Sequence, residues 1–258
     1  MTAETPTQGR RARLRQETWR ELKSAALAEV RDVGAAGLVL RSVARRLGMS
    51  PAGLYRYVDS REALLTVLIA DGYHDLADHL QVALGGDPAG AVAQDRPPPT
   101  VATIAPPSDS PAARLEAVAL AYRSWSVQHP NEFGLLFGDP IPGYAAPAGG
   151  VTVDAMRRMG QALATPILEL AATGALRVHA TLSAPAVAGT MGPMVDLGED
   201  LPGDVAALLL LSWGRLHGQV SLEVFGHHHW LLPEGCEDLY RAEIARMLVD
   251  LGAVDGPR

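Results

Sequence analysis

Along most of this chain apolar residues return every three or four positions with charged residues between them, a rhythm that predicts helices. Leu22, Ala26, Val30 and Val33 share one helical face, and Gly34 follows as a stop signal, so Leu14 to Val33 is expected to be helical. Residues 40 to 47 predict a second, short helix ended by Gly48. Ser50 then offers a side-chain oxygen as an N-cap, and Pro51 occupies the first helical position, where its missing N–H costs nothing. A third helix is therefore expected from Pro51 to about Val58. Ser60 caps a longer fourth helix, with Leu65, Ile69, Leu76 and Leu80 on its stripe.

Gly85 to Pro107 breaks the rhythm with six prolines and few large apolar residues, the pattern of a long loop or linker. Beyond it the spacing predicts helices from Pro111 to about His129, Asn131 to Phe137, Val153 to Ala172, Asp204 to Phe225 and Glu237 to Leu251. Pro- and Gly-rich loops are expected at 138–150 and 192–203. No strand pattern or internal repeat appears, so the fold class is all-α. On the fourth helix Asp75 and His79, like His74 and Asp78, are one turn apart and read as a solvated face rather than a shared cation site.

Composition narrows the class. The 258 residues are 48% hydrophobic and 20% charged, enough for one or two domains with a real core. No apolar run reaches the roughly 20 residues of a membrane span, and the start has no apolar stretch after its charges, so a cytoplasmic location is expected. The single cysteine, Cys236, reads as a small apolar filler and excludes an intrachain disulfide. The formal charge of −7 is divided unevenly. Residues 1–61 hold 12 Lys and Arg against 6 Asp and Glu, whereas residues 62–258 hold 10 against 23. A basic head on an acidic body suits a module that meets phosphates at one end only.

The segment LRSVARRLGMSPAGLYRYV, residues 40–58, contains the parts of a helix-turn-helix. Val43, Ala44 and Leu47 give its first helix an apolar face, Gly48 permits the turn, and Leu54 and Val58 anchor the second helix. Pro51, Ala52 and Gly53 keep the start of that helix small. Close approach to base edges and phosphates is then open, with Tyr55, Arg56 and Tyr57 supplying polar and ring contacts. From Arg15 to Leu68 the chain resembles the DNA-binding domain of TetR-family repressors: the leading helix to Gly34, the RSVARRLGMS block, the LYRYV helix and SREALL follow in that order. The resemblance implies phosphate contacts at Arg41 and Arg61 and backbone or base contacts at Tyr55 and Tyr57. Arg45 and Arg46 are assigned instead to the solvated face of their helix. Val39 departs from the family, which commonly places a capping Ser or Thr there, at a cost of about 1 kcal/mol.

Arg10, Arg11, Arg13 and Arg15 form a basic arm ahead of the first helix, readable either as a minor-groove insert or as a generally basic tail. The expected organisation is a disordered arm at 1–14, a DNA-binding domain at 15–62, and an effector-binding and dimerisation domain at 63–258 with a Pro-rich loop at 85–107. Residues 122–137 and the WGRLHG segment at Trp213 to Gly218 resemble a TetR-type C-terminal domain with a Trp, His and Gly signature. A small-molecule effector needs an apolar cavity with a few polar groups, and Trp125, His129, Phe133, Phe137, Met156, Met159, Trp213 and His217 are the candidates to line it. The stripe Tyr240, Ile244, Met247, Leu248 and Leu251, together with the apolar Leu208 to Leu211, suggests a homodimer, which is also the family's mode. Its two reading helices would meet a near-palindromic double-stranded operator. His227, His228 and His229 lack the ligand set of a metal site. No nucleophile elbow, phosphate-cradling loop or acid/base pair points to an enzyme, and no metal or cofactor is called for.

Overall fold

A computed structural model describes residues 6–87, 110–179, 182, 201–232 and 235–254, with the side chains of 6–9 and 11 outside the description. Among these residues every regular element is a helix. The head comprises α1 (Pro6–Val33), α2 (Leu40–Arg46) and α3 (Pro51–Leu54). The body comprises α4 (Arg61–Ala83), α5 (Pro111–Gln128), α6 (Pro130–Phe137), α7 (Val151–Ala172), α8 (Gly203–Val224) and α9 (Glu237–Asp250). Most of the Pro-rich segment and of the loop expected at 192–203 lies outside the described residues.

Three helix starts form as their side chains dictate. Ser50 Oγ accepts from the Gly53 N–H at 3.1 Å, Ser60 Oγ from Ala63 at 3.0 Å and Ser110 Oγ from Ala113 at 3.2 Å. At α2 the extended Val39 makes no side-chain cap, as its chemistry requires. Gly34 and Gly48 take φ of 73° and 64°, the left-handed conformation that ends α1 and turns the chain from α2 into α3.

Four expectations change. The helix starts at Pro6, so residues 6–14 are helical rather than a disordered arm; Arg10 to Arg15 consists largely of good helix formers that simply extend α1. The third helix stops at Leu54, and residues 55–57 continue as a turn that still buries Val58. Val33 is 51% exposed, whereas Leu22, Ala26 and Val30 are buried. The fourth correction concerns Asp78 and His79, which are buried rather than solvated, because α5, α6 and α7 cover α4.

In the body α4, α5 and α7 pack against one another around Leu76, Leu80, Leu115, Val118 and Ala162. α6 sits against α4 and also touches α1, α8 packs on α5 and α7, and α9 packs on α5 and α8. Burying Asp78 requires a partner, and Arg158 of α7 supplies it at 2.5 Å. Arg123 of α5 likewise joins two helices, donating to Glu223 of α8 at 2.8 and 2.6 Å and to Glu237 of α9 at 3.1 Å.

The predicted stripe of α9 is spent inside the subunit. Tyr240, Ile244, Met247, Leu248 and Leu251 are all buried, and the Tyr240 hydroxyl donates to the Ala119 carbonyl at 3.1 Å. What α8 and its C-cap leave outward is different: Leu211, Leu222 and the capping Phe225 are 53%, 41% and 46% exposed. Gly214 and Gly218 lie between them at helical spacing, with open space where a side chain would begin.

Candidate functional site

The head is a helix-turn-helix whose inner side is closed by apolar packing and whose basic side chains divide into two kinds. Leu54, Val43 and Ala44 are fully buried at the crossing of α2 and α3. Arg46 is held by Glu29 at 2.6 Å and Asp32 at 2.5 Å, tying α2 to α1. The guanidinium holds the Asp32 carboxyl below the ordinary carboxylate range. Arg61, expected at a phosphate, donates instead to the carbonyls of Leu38 at 2.9 Å, Ala35 at 3.0 Å and Ala36 at 3.1 Å. Those carbonyls belong to the loop between α1 and α2, and a guanidinium fork satisfies several at once. Arg61 therefore braces the head from the start of α4.

The second kind faces outward. Arg41, Pro51, Ala52, Tyr55 and Arg56 are exposed, Tyr55 to 53%. Gly53 is half-buried beside its cap, and Tyr57 is half-buried against the core. Arg10 and Arg13 are exposed along the outer length of α1; the Arg11 side chain lies outside the described residues. The α3 edge is thus a small-residue surface flanked by Tyr55, Arg56 and Arg41, the composition that lets a helix start approach a groove.

In the body a cavity of about 390 Å³ lies among α4, α5, α6, α7 and α8. Five of the eight predicted residues line it: Phe137, Met156, Met159, Trp213 and His217. The other three are placed elsewhere. Trp125 is buried with its Nε1 donating to Asp75 at 2.8 Å, His129 stacks on Trp125 at 5.1 Å, and Phe133 is enclosed by His217, Phe137 and Phe225. Trp125 is thereby directed at α4, through Asp75, and Phe133 is fully buried in the aromatic cluster. Tyr73, Arg157, Gly160, Gln161 and Ser212 line the cavity and were not anticipated. For one α7 residue a signal existed: Gly160 stands four positions after Met156 and so shares its helix face.

His217 is fixed from both ring nitrogens. Nδ1 shares a hydrogen bond with the Tyr122 hydroxyl at 2.7 Å and Nε2 with the Ser221 hydroxyl at 3.2 Å, while its ring stacks on Trp213 at 4.7 Å. Burial lowers its pKa below the ordinary imidazole value, favouring the neutral ring, and pushes the Tyr122 hydroxyl up. The pair is thus a neutral polar element in an aromatic wall.

Head and cavity are joined through α4. Lys23 of α1 pairs with Asp71 at 2.8 Å, and two residues on, Tyr73 lines the cavity. Asp78 then holds Arg158, the neighbour of the cavity residue Arg157.

A family model described as "Tetracyclin repressor-like, C-terminal domain" matches residues 115–247. The HTH-type transcriptional regulator Mb1846 of Mycobacterium bovis is 34% identical over 225 residues, 85% of this chain and 86% of that protein. The chain belongs to the TetR family of transcriptional regulators. The HTH-type transcriptional regulator Rv1816 of Mycobacterium tuberculosis matches at the same identity and coverage. Among solved structures, the regulatory protein SCO4313 superposes with a TM-score of 0.67 at 29% identity, covering 92% of this chain and 98% of that one. A tetR-family regulatory protein from Rhodococcus RHA1, 15% identical with a TM-score of 0.59 over 92% and 97% of the two chains, shares the fold. As a TetR-family transcriptional regulator the chain is a DNA-binding protein, and its relatives are named for regulation rather than for catalysis. No helix among the described residues is long and apolar enough to cross a membrane.

Proposed function

We propose that this TetR-family regulator is a non-enzymatic repressor that acts in the cytoplasm, holds a near-palindromic operator as a homodimer, and releases it when a small molecule enters the body cavity. The observation that carries the reading is the outward α3 edge, where Tyr55 and Arg56 stand exposed beside Ala52 while Arg46 and Arg61 are consumed in holding the head together. Residues 15–62 act as the reading head and residues from 63 onward as the sensing and pairing body. Arg41, Pro51, Ala52, Gly53, Tyr55, Arg56 and Tyr57 form the contact surface, with Arg10, Arg11 and Arg13 adding charge along the helical extension. Pairing runs through the Leu211, Gly214, Gly218, Leu222 and Phe225 stripe of α8, which holds apolar surface outward and has room for a close helix crossing. Two heads about 34 Å apart then meet successive major-groove faces. An effector that fits one body conformation better biases α4, and only that differential affinity moves the heads.

The test is fluorescence anisotropy of the full chain on fragments flanking its own gene, across a range of salt concentrations. Binding is expected to select one fragment and to weaken steeply with salt, with Arg56→Ala removing about one phosphate's worth of the salt slope and Tyr55→Ala weakening binding without lowering thermal stability. Equal affinity for all fragments, or a salt slope untouched by Arg56→Ala, would sink the reading.

A further inference from the structure

The cavity wall is apolar over most of its extent, from Leu115 and Val118 at its buried side to Trp213 and Leu216 on α8. Its polar groups are few and unevenly placed. Arg157 and Gln161 stand one turn apart on α7, so they share a face, and Gln161 is exposed, which puts this pair at the mouth. Arg157 is the one Lys or Arg among the lining residues, and no Asp or Glu among the described residues lines the cavity. Its Nη1 pairs at 2.8 Å with Asp154, which is 69% exposed and screened by water, while its Nε–H is buried without a partner. A buried guanidinium N–H left unpaired is costly, and a ligand acceptor would recover that cost.

Resting on the reading of this cavity as the effector site, we infer that it takes an apolar monocarboxylate. The carboxylate lies against Arg157 and Gln161, and the apolar body extends inward between Trp213, Met156 and Met159. The guanidinium fork matches a planar carboxylate, and one cation among lining residues that carry no other formal charge suits one negative charge rather than two. The two methionines adapt to the shape of the body. His217, held neutral between Tyr122 and Ser221, adds no second positive charge. A volume of about 390 Å³ lies at the small end of ligand pockets, which favours a compact aromatic or a medium-length aliphatic acid.

The experiment uses the full chain and two matched pairs of probes, 1-naphthoic acid with 1-naphthamide and decanoic acid with decanamide, measured by isothermal titration calorimetry. At least one acid is expected to bind about tenfold or more tightly than its amide, the difference a charge-assisted pair makes. Arg157→Gln is expected to erase that preference while leaving weak amide binding in place. Gly160 lines the cavity, and a Cβ there meets nothing within 4 Å, so the side chain of Gly160→Leu starts in open space and takes up cavity volume. That variant is expected to lose both acid and amide with its helical circular dichroism unchanged. Amide binding equal to acid binding, an acid preference that survives Arg157→Gln, or no binding of either acid overturns the carboxylate assignment. Acid binding undiminished in Gly160→Leu places the ligand elsewhere and removes the cavity reading itself.

Discussion

The head and the body use the same kinds of side chain to opposite ends. In the head, Leu22, Ala26, Val43, Ala44 and Leu54 close around one another, and the arginines at the helix junctions are bound by carboxylates or carbonyls. Rigidity there keeps the α3 edge in a single shape. In the body, comparable aromatic and aliphatic residues stop short of closing, leaving a cavity with a buried, unpaired Arg157 N–H on its wall. A reader must hold one geometry, whereas a sensor must keep some packing and some hydrogen bonding unfinished until a ligand arrives.

That contrast can be broken in order of expected effect. Leu54→Ala removes a fully buried anchor of the reading helix and is expected to cost about 2–5 kcal/mol in urea denaturation, with loss of DNA binding. Met156→Ala on the cavity wall, where one side of the residue already faces space, is expected to cost under about 2 kcal/mol by the same measurement. Equal costs would show the head to be no more tightly packed than the sensor.

Within the body the α5–α8–α9 junction is closed as the head is, since Arg123 is as fully used as any head arginine. Arg123→Met leaves Glu223, only 11% exposed, without its partner and is expected to cost about 3 kcal/mol, read as a lowered melting temperature. A loss near zero would assign that junction to apolar packing alone.

A smaller, pH-dependent effect separates the regions further. Burial lowers the pKa values of His79 and His217, both body residues, below 6.5. The unfolded chain therefore takes up protons first as the pH falls. Stability from these two sites is complete above the unfolded value of 6.5 and is lost as pH drops toward their lowered folded values. The melting temperature is expected to fall between about pH 7 and pH 5, and His79→Leu with His217→Phe to flatten that fall. An unchanged slope in the double variant would show that neither histidine governs it.

The smallest effect lies in the head. Val39 is 52% exposed and already extended, so Val39→Thr adds a cap to α2 without removing core packing and is expected to stabilise by about 1 kcal/mol or less. A destabilised variant in thermal denaturation would mean that the valine side chain has a contact worth more than the cap.

Legibility from sequence followed the distance over which each feature is decided. The caps at Ser50 and Ser60 and the stops at Gly34 and Gly48 depend on two or three neighbouring residues, and all four form as read. Helical periodicity located α5 to α9 within two residues of their observed ends. It did not tell which helix would cover which face. The α9 stripe looked like a pairing surface because it is apolar, and it is buried against α5 and α8 instead. Arg61 matched a phosphate-holding position by resemblance, yet its guanidinium lies on three carbonyls more than twenty residues away in sequence. Trp125, His129 and Phe133 had the chemistry of a cavity wall but were rotated out of it.

By itself the sequence determined that this protein is helical, that residues 40–58 form a helix-turn-helix with Tyr55 and Arg56 outward, and that its charge is split between a basic head and an acidic body. Those properties are set by capping chemistry, periodicity and composition, which act over a few residues at a time. Only the tertiary structure decided that Arg46 and Arg61 brace the head, that α8 rather than α9 keeps apolar surface outward, and that Arg157 shares a cavity with Trp213 and Tyr73. Each of these depends on which helix faces meet, and that is settled by packing among residues dozens of positions apart.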